Sequence, residues 1–214
     1  MTRRERAEEL LKLTHLPELL QKYGKAFIVG SCRMDAMAWN DLDFYLDDTD
    51  LTAEGYHALA AELLRTLAPT RFDGFLRIGE PCAFLGLETA LTGERWNIDL
   101  WWKNRAQIEA ALSFADEKAA QMQRDPALKT AVLDIKQGLI NRNLYGMDKG
   151  RTHYHSQEIY DAVFIEGVRT AEEFLSLHAK KNIKGLRSRS ELFIITVEDP
   201  SSAPLCPAAG KRAA

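Results

Sequence analysis

The chain has 214 residues, 46% of them hydrophobic and 28% charged, with a formal net charge of −3. That supports a real hydrophobic core in one good-sized domain, or in one medium and one small domain. It excludes a membrane helix, since no run nears the roughly 20 apolar residues such a span needs, and it provides no global attraction to nucleic acid or to an anionic membrane.

The basic start Arg3-Arg4-Glu5-Arg6 is followed by no apolar signal core. Cys32, Cys82 and Cys206 are too widely spaced for a zinc site or a disulfide framework, and they read as free thiols of a cytoplasmic protein.

Residues 3–23 read as an amphipathic helix broken near Pro17, with Leu10, Leu11, Leu13, Leu16, Leu19 and Leu20 on its apolar face and Gly24 as its cap. Lys25–Val29 is an apolar strand running into a Gly30-Ser31 turn. Cys32–Trp39 fits a short helix. Asp41–Leu46 alternates polar and apolar residues and reads as a second strand, closed by the acidic loop Asp47-Asp48-Thr49-Asp50. A helix follows over 53–67.

Pro69 and Gly74 mark a change of period, and three strands are expected at Arg71–Ile78, Cys82–Ala90 and Arg95–Trp102. From Asn104 the composition turns helical: helices are expected over 104–124 and 126–145, then a loop at Gly146–Arg151. A last helical region runs from Ser156 to Lys181, bent near Gly167. The pattern is α+β: a mixed sheet with flanking helices over 1–103, a helical lobe over 104–183 and a flexible proline-containing tail over 184–214.

Three short segments carry the chemistry. A glycine after a strand lets the backbone approach a phosphate, the next turn presents N–H donors, and the Ser31 hydroxyl adds one more. Asp41 and Asp43, two apart on a strand, project from one face, where their like charges repel and a hard cation resolves the conflict. Asp99 is an acid inside an apolar run of Trp96, Ile98, Leu100, Trp101 and Trp102. A strand laid beside the first pair brings it to them, and three carboxylates can hold two metal ions. Of the tryptophans, some pack the core, and one is a candidate to stack on a base or a sugar-like acceptor.

In this order, Phe27-Ile28-Val29-Gly30-Ser31, Asp41-Leu42-Asp43-Phe44 and Ile98-Asp99-Leu100 resemble the motif of the nucleotidyltransferase superfamily, the fold shared with DNA polymerase beta. The helical second half resembles the lobe of the small antibiotic nucleotidyltransferases that act on aminoglycosides or lincosamides. The chain departs from the pattern just after the turn, where Cys32-Arg33-Met34-Asp35 stands in place of small residues.

The resemblance implies Mg²⁺-dependent transfer of a nucleoside monophosphate from an NTP to a hydroxyl of a small-molecule acceptor. Asp41, Asp43 and Asp99 would be the metal ligands for two Mg²⁺ ions, with Asp99 as base, and Gly30 and Ser31 would hold the β- and γ-phosphates. Arg33, Lys136 and Arg142 are candidates to neutralise the triphosphate, or else ordinary helix-surface charges. His153-Tyr154-His155 either lines an acceptor pocket or enters a helix. A catalytically weak or inactive, antitoxin-like member that binds a partner protein is the alternative; a homodimer or a separate protein partner is open in either case. The acidic balance argues against nucleic acid as a partner.

Overall fold

The computed structural model describes residues 1–77, 82–146 and 153–183. The tail expected over 184–214 lies outside the described residues. The chain divides into two compact units, Met1–Ala120 and Gln121–Ala214. The change of composition at 104 therefore precedes the boundary between units, which falls inside a helix.

The first unit opens with α1 (Arg3–Thr14) and α2 (Leu16–Gln21). The expected break near Pro17 falls at His15, which takes left-handed backbone angles (φ 49°) and lets the chain restart with Pro17 in the first turn of α2. β1 (Ala26–Val29) leads directly into α3 (Gly30–Arg33). The helix expected over Cys32–Trp39 is thus a single turn that starts earlier and stops at Arg33, because Asp35 adopts positive φ (53°) and cannot continue it.

β2 (Asp41–Asp47), a 3-10 turn at Asp48–Asp50 and α4 (Ala53–Leu67) follow. Then come β3 (Arg71–Arg77), β4 (Cys82–Thr89), β5 (Trp96–Lys103) and α5 (Arg105–Arg124). α5 crosses the unit boundary.

The five strands form one mixed sheet in the order β1-β2-β5-β4-β3. β2 and β5 are parallel; the other three pairings are antiparallel. Alternation splits the sheet into two faces. Leu42, Phe44 and Leu46 of β2, Ala83, Leu85 and Leu87 of β4, and Trp96, Ile98, Leu100 and Trp102 of β5 belong to the core, together with Leu10, Leu16 and Leu20 of the first helices and Leu59, Leu63 and Leu67 of α4. Each buried leucine of this set contributes about 1.5–3 kcal/mol of transfer free energy. Tyr56 of α4 ties helix to sheet by donating from its hydroxyl to the Phe84 carbonyl at 3.0 Å.

The second unit contains α6 (Pro126–Asn141), α7 (Ser156–Phe164) and α8 (Ala171–Ile183). α6 ends four residues before the expected 145, where Asn143 takes positive φ (53°). The single helical region expected over 156–181 is two helices, separated at Gly167 (φ 73°). Cys32 is a buried free thiol. Cys206 lies outside the described residues. Among the described residues no helix is long and apolar enough to cross a membrane.

Candidate functional site

The second face of the sheet carries the polar half of each alternation. In β2 that half is Asp41, Asp43 and Tyr45; in β5 it is Asn97, Asp99, Trp101 and Lys103. The parallel register sets Asp43 directly opposite Asp99 and Asp41 opposite Asn97. Neighbouring strands lie about 4.8 Å apart and alternate residues about 6.6 Å apart along a strand. Two neighbouring carboxylates and a third more than 50 residues further along the chain are thereby collected on one small patch.

Two details shape that patch. Asn97, which is buried, donates from Nδ2 to Asp41 Oδ1 at 2.7 Å and so fixes that carboxylate's orientation. Sequence reading assigned Asn97 no role. The available signal was its position two residues before Asp99 on the same strand, hence on the same face.

Gly30 sits against the Asp43 carboxylate: a Cβ placed there would collide with Asp43 Oδ2, and its φ of 63° disfavours any side chain. A glycine is therefore required both by the turn and by the carboxylate packed on it. Gly86 of β4, opposite Asp99, is a second such approach, since a Cβ there would lie 3.2 Å from Asp99 Oδ1 and closer still to the Phe84 ring.

The negative charge of Asp43 is felt by its neighbours. Burial pushes the Cys32 thiol up to about 11; Arg4 opposes this, while Asp43, Glu8 and Asp35 add to it. Burial, and then Asp43, also raise the Tyr45 phenol above its ordinary range. Asp47, at the far end of β2, has a separate explanation. Its Oδ1 accepts from the Thr49 N–H (3.1 Å) and hydroxyl (2.7 Å), which caps the turn and holds the carboxyl below its usual range.

The remaining candidates are placed as follows. Ser31 is the second residue of α3 and is half-buried. Arg33, at the end of α3, is held by Asp116 of α5 through Nε–Oδ1 (2.7 Å) and Nη2–Oδ2 (2.8 Å). Lys136 and Arg142 lie in the second unit. Lys136 is fully buried and donates from Nζ to the Tyr160 hydroxyl at 2.9 Å. Arg142 donates to the Gly138 carbonyl at 2.8 Å and pairs with Glu172 at 2.5 Å.

Tyr154 packs edge-on to Phe174 and His178, with centroids 5.0 and 4.8 Å away. The His155 N–H at the start of α7 donates to Glu158 at 2.8 Å. Trp96 and Trp102 belong to the core, whereas Trp101 is half-buried on the carboxylate face.

The donor set on this face suits a hard divalent cation, which takes carboxylate oxygens and completes its shell with water or phosphate. The gap left by the missing Gly30 side chain keeps Asp43 beside the turn. Among the described residues no three His, Cys, Asp or Glu side chains stand in a ready-made metal-binding arrangement. What the fold supplies is the register, with the acids side by side on rigid strands.

No protein-family model and no curated protein matches this sequence. Solved structures do match. A poly(U) polymerase, Cid1, with Mg and 3'-dATP bound, is 16% identical with a TM-score of 0.56, over 75% of this chain and 49% of that one. The polymerase core of TRAMP, an RNA surveillance complex, is 19% identical with a TM-score of 0.55, over 77% and 50%. A cytoplasmic RNA terminal U-transferase is 17% identical with a TM-score of 0.51, over 74% and 46%. The chain spans about half the length of the structures it matches.

These likenesses overturn the expectation against nucleic acid as a partner, because the matched structures are polymerases and a transferase of RNA. A net charge of −3 is an average over the whole chain and does not describe any local surface. The strand order, the carboxylate register and these likenesses agree on one architecture: the chain has the nucleotidyltransferase fold.

Proposed function

We propose that this protein transfers a nucleoside monophosphate from an NTP to an acceptor hydroxyl and releases pyrophosphate. The observation that carries the reading is the in-register pair Asp43 and Asp99, with Asp41 on the same face and Gly30 against Asp43. Asp41, Asp43 and Asp99 would hold two Mg²⁺ ions. Bound there, Mg²⁺ supplies charge neutralisation and Lewis-acid activation for an in-line displacement.

The chain's own groups do the rest. Asn97 keeps Asp41 oriented. The Gly30-Ser31 turn holds the β- and γ-phosphates. Asp99 takes the proton of the acceptor hydroxyl as its oxygen bonds to the α-phosphorus, while the bond from that phosphorus to the bridging oxygen breaks and pyrophosphate leaves. Positioning and charge compensation account for most of the rate. Arg33, at the end of the turn that begins with Gly30-Ser31, is the basic group of this unit offered to the triphosphate; Lys136 and Arg142 are engaged within the second unit by Tyr160 and Glu172.

The likeness to RNA-tailing polymerases favours the hydroxyl at an RNA end as acceptor. A small hydroxyl-bearing acceptor, which the resemblance of the helical half to the small antibiotic nucleotidyltransferases implies, is the second reading.

Incubation with each radiolabelled NTP and Mg²⁺, against short RNAs and against pools of small polyols, tests both. Label moving into RNA supports the first reading, and label moving into the polyol pool the second. Absence of transfer to every acceptor, with nucleotide binding unaffected by the double change Asp41→Asn and Asp43→Asn, sinks the transferase reading. A tight stoichiometric protein partner from the native host would then support the non-catalytic alternative.

A further inference from the structure

The carboxylate row is followed on the same face by an aromatic row. Tyr45 of β2 pairs with Trp101 of β5, Trp101 with Phe84 of β4, and Phe84 with Phe75 of β3. The rings touch in sequence: Trp101 and Phe84 centroids are 4.4 Å apart, Phe84 and Phe75 6.0 Å, and Phe75 and Trp101 6.2 Å. Phe84 is buried at the centre of the row, while Tyr45, Trp101 and Phe75 are half-buried.

Two cations lie along it. Lys103 Nζ is 5.0 Å from the Trp101 ring centre and 5.8 Å from that of Tyr45; the Arg77 guanidinium is 5.7 Å from the Phe75 ring. Apart from buried Phe84, the row lies outside the main core cluster, which is built from the opposite face.

The two rows are two residues apart along each strand, about 6.6 Å. That is the scale of the ribose between a nucleobase and its nearest phosphate. A flat π-face flanked by Lys103 and Arg77 suits a base carried on an anionic backbone. We propose that Trp101, with Tyr45 and Phe75 beside it, is the stacking surface for a nucleobase whose phosphate or terminal hydroxyl lies at the carboxylate row. This rests on the transferase reading. It also resolves which tryptophan is free to stack: Trp96 and Trp102 are committed to the core. The base belongs either to the incoming NTP or to the terminal nucleotide of an RNA acceptor.

Calorimetric titration with Mg²⁺-tripolyphosphate, Mg²⁺-ATP, Mg²⁺-UTP and a single-stranded RNA hexamer separates the cases. Tripolyphosphate reports the phosphate and metal site without a base. We expect at least one NTP to bind about tenfold tighter than tripolyphosphate, or the hexamer to bind measurably. Trp101→Leu should erase that advantage by about tenfold and leave tripolyphosphate affinity intact. Loss confined to the NTPs assigns the base to the donor nucleotide; loss confined to the hexamer assigns it to the acceptor.

An unchanged NTP margin together with unchanged hexamer binding in Trp101→Leu overturns the proposal while leaving the transferase reading standing. Failure of tripolyphosphate and of both NTPs to bind the unaltered protein overturns the transferase reading, and this one with it. Should Trp101→Leu unfold, Tyr45→Leu removes the other ring beside Lys103 and must produce the same selective loss.

Discussion

The two faces of the central sheet are made by the same strands and obey opposite rules. On one face Leu42, Phe44, Ile98 and Leu100 are fully or almost fully buried and hold the helices to the sheet. On the other, Asp41, Asp43 and Asp99 set carboxylates side by side, an arrangement that suits a cation. The difference separates what keeps the protein folded from what it is folded to do. It also means that neighbouring residues of one strand should fail in different ways when changed.

Asp99 and Leu100 give the sharpest test. Asp99→Asn should cut nucleotidyl transfer by about a thousandfold, equivalent to several kcal/mol of lost charge stabilisation in the transition state. It should leave the denaturation midpoint nearly unchanged, since asparagine keeps the volume and Asp99 lies outside the hydrophobic core. Steady-state rates alongside a urea titration show both; a clear fall in stability would mean that Asp99 belongs to the structural face after all.

Next in size is Leu100→Ala. Leu100 has no exposed surface, and truncation there should cost about 2–5 kcal/mol. Activity per folded molecule should hold, as judged by rates corrected for the folded fraction.

Asn97→Ala comes third and tests the junction between the faces. Asn97 acts through Asp41, which it bonds at 2.7 Å, and loss of such a supporting hydrogen bond weakens metal affinity by about 10- to 100-fold. The expected signature is a higher Mg²⁺ requirement with turnover largely restored at saturating Mg²⁺. A turnover defect that excess Mg²⁺ does not repair would argue against a positioning role.

The smallest effect concerns Tyr56, whose phenol is pushed up to about 12, first by burial and then by Asp73. The folded state holds the phenol proton to higher pH than the unfolded chain does. The resulting stability is present below about pH 10 and is lost as pH rises from there toward 12. Tyr56→Phe should flatten that alkaline decline in a series of melts, at a cost of about 1 kcal/mol near neutral pH for the lost bond to the Phe84 carbonyl.

Much of the architecture was legible because it is local. Alternation in Asp41–Leu46 and the apolar run around Asp99 identify strands without reference to anything distant, and the start of β2 at Asp41 agrees with the reading. Features set by a single backbone angle were less so. α3 stops after one turn because Asp35 turns left-handed, and nothing in Cys32–Trp39 prohibits a longer helix. Lys136 and Arg142 looked like surface cations on a helix, yet Lys136 is buried against Tyr160. Burial of that kind depends on which helix packs where, and periodicity alone does not contain it.

The amino-acid sequence by itself determined that Asp41 and Asp43 share a face, that a glycine stands where a strand meets a turn, and that Asp99 interrupts an apolar strand. These follow from the two-residue repeat of extended chain and from the permissiveness of glycine. Only the tertiary structure decided that β5 lies parallel to β2 in the register that sets Asp99 opposite Asp43, that a side chain at Gly30 would strike the Asp43 carboxylate, and that Trp101 packs on Phe84 of β4. Strand pairing joins segments about 50 residues apart, and a shift of one residue would have turned Asp99 into the core.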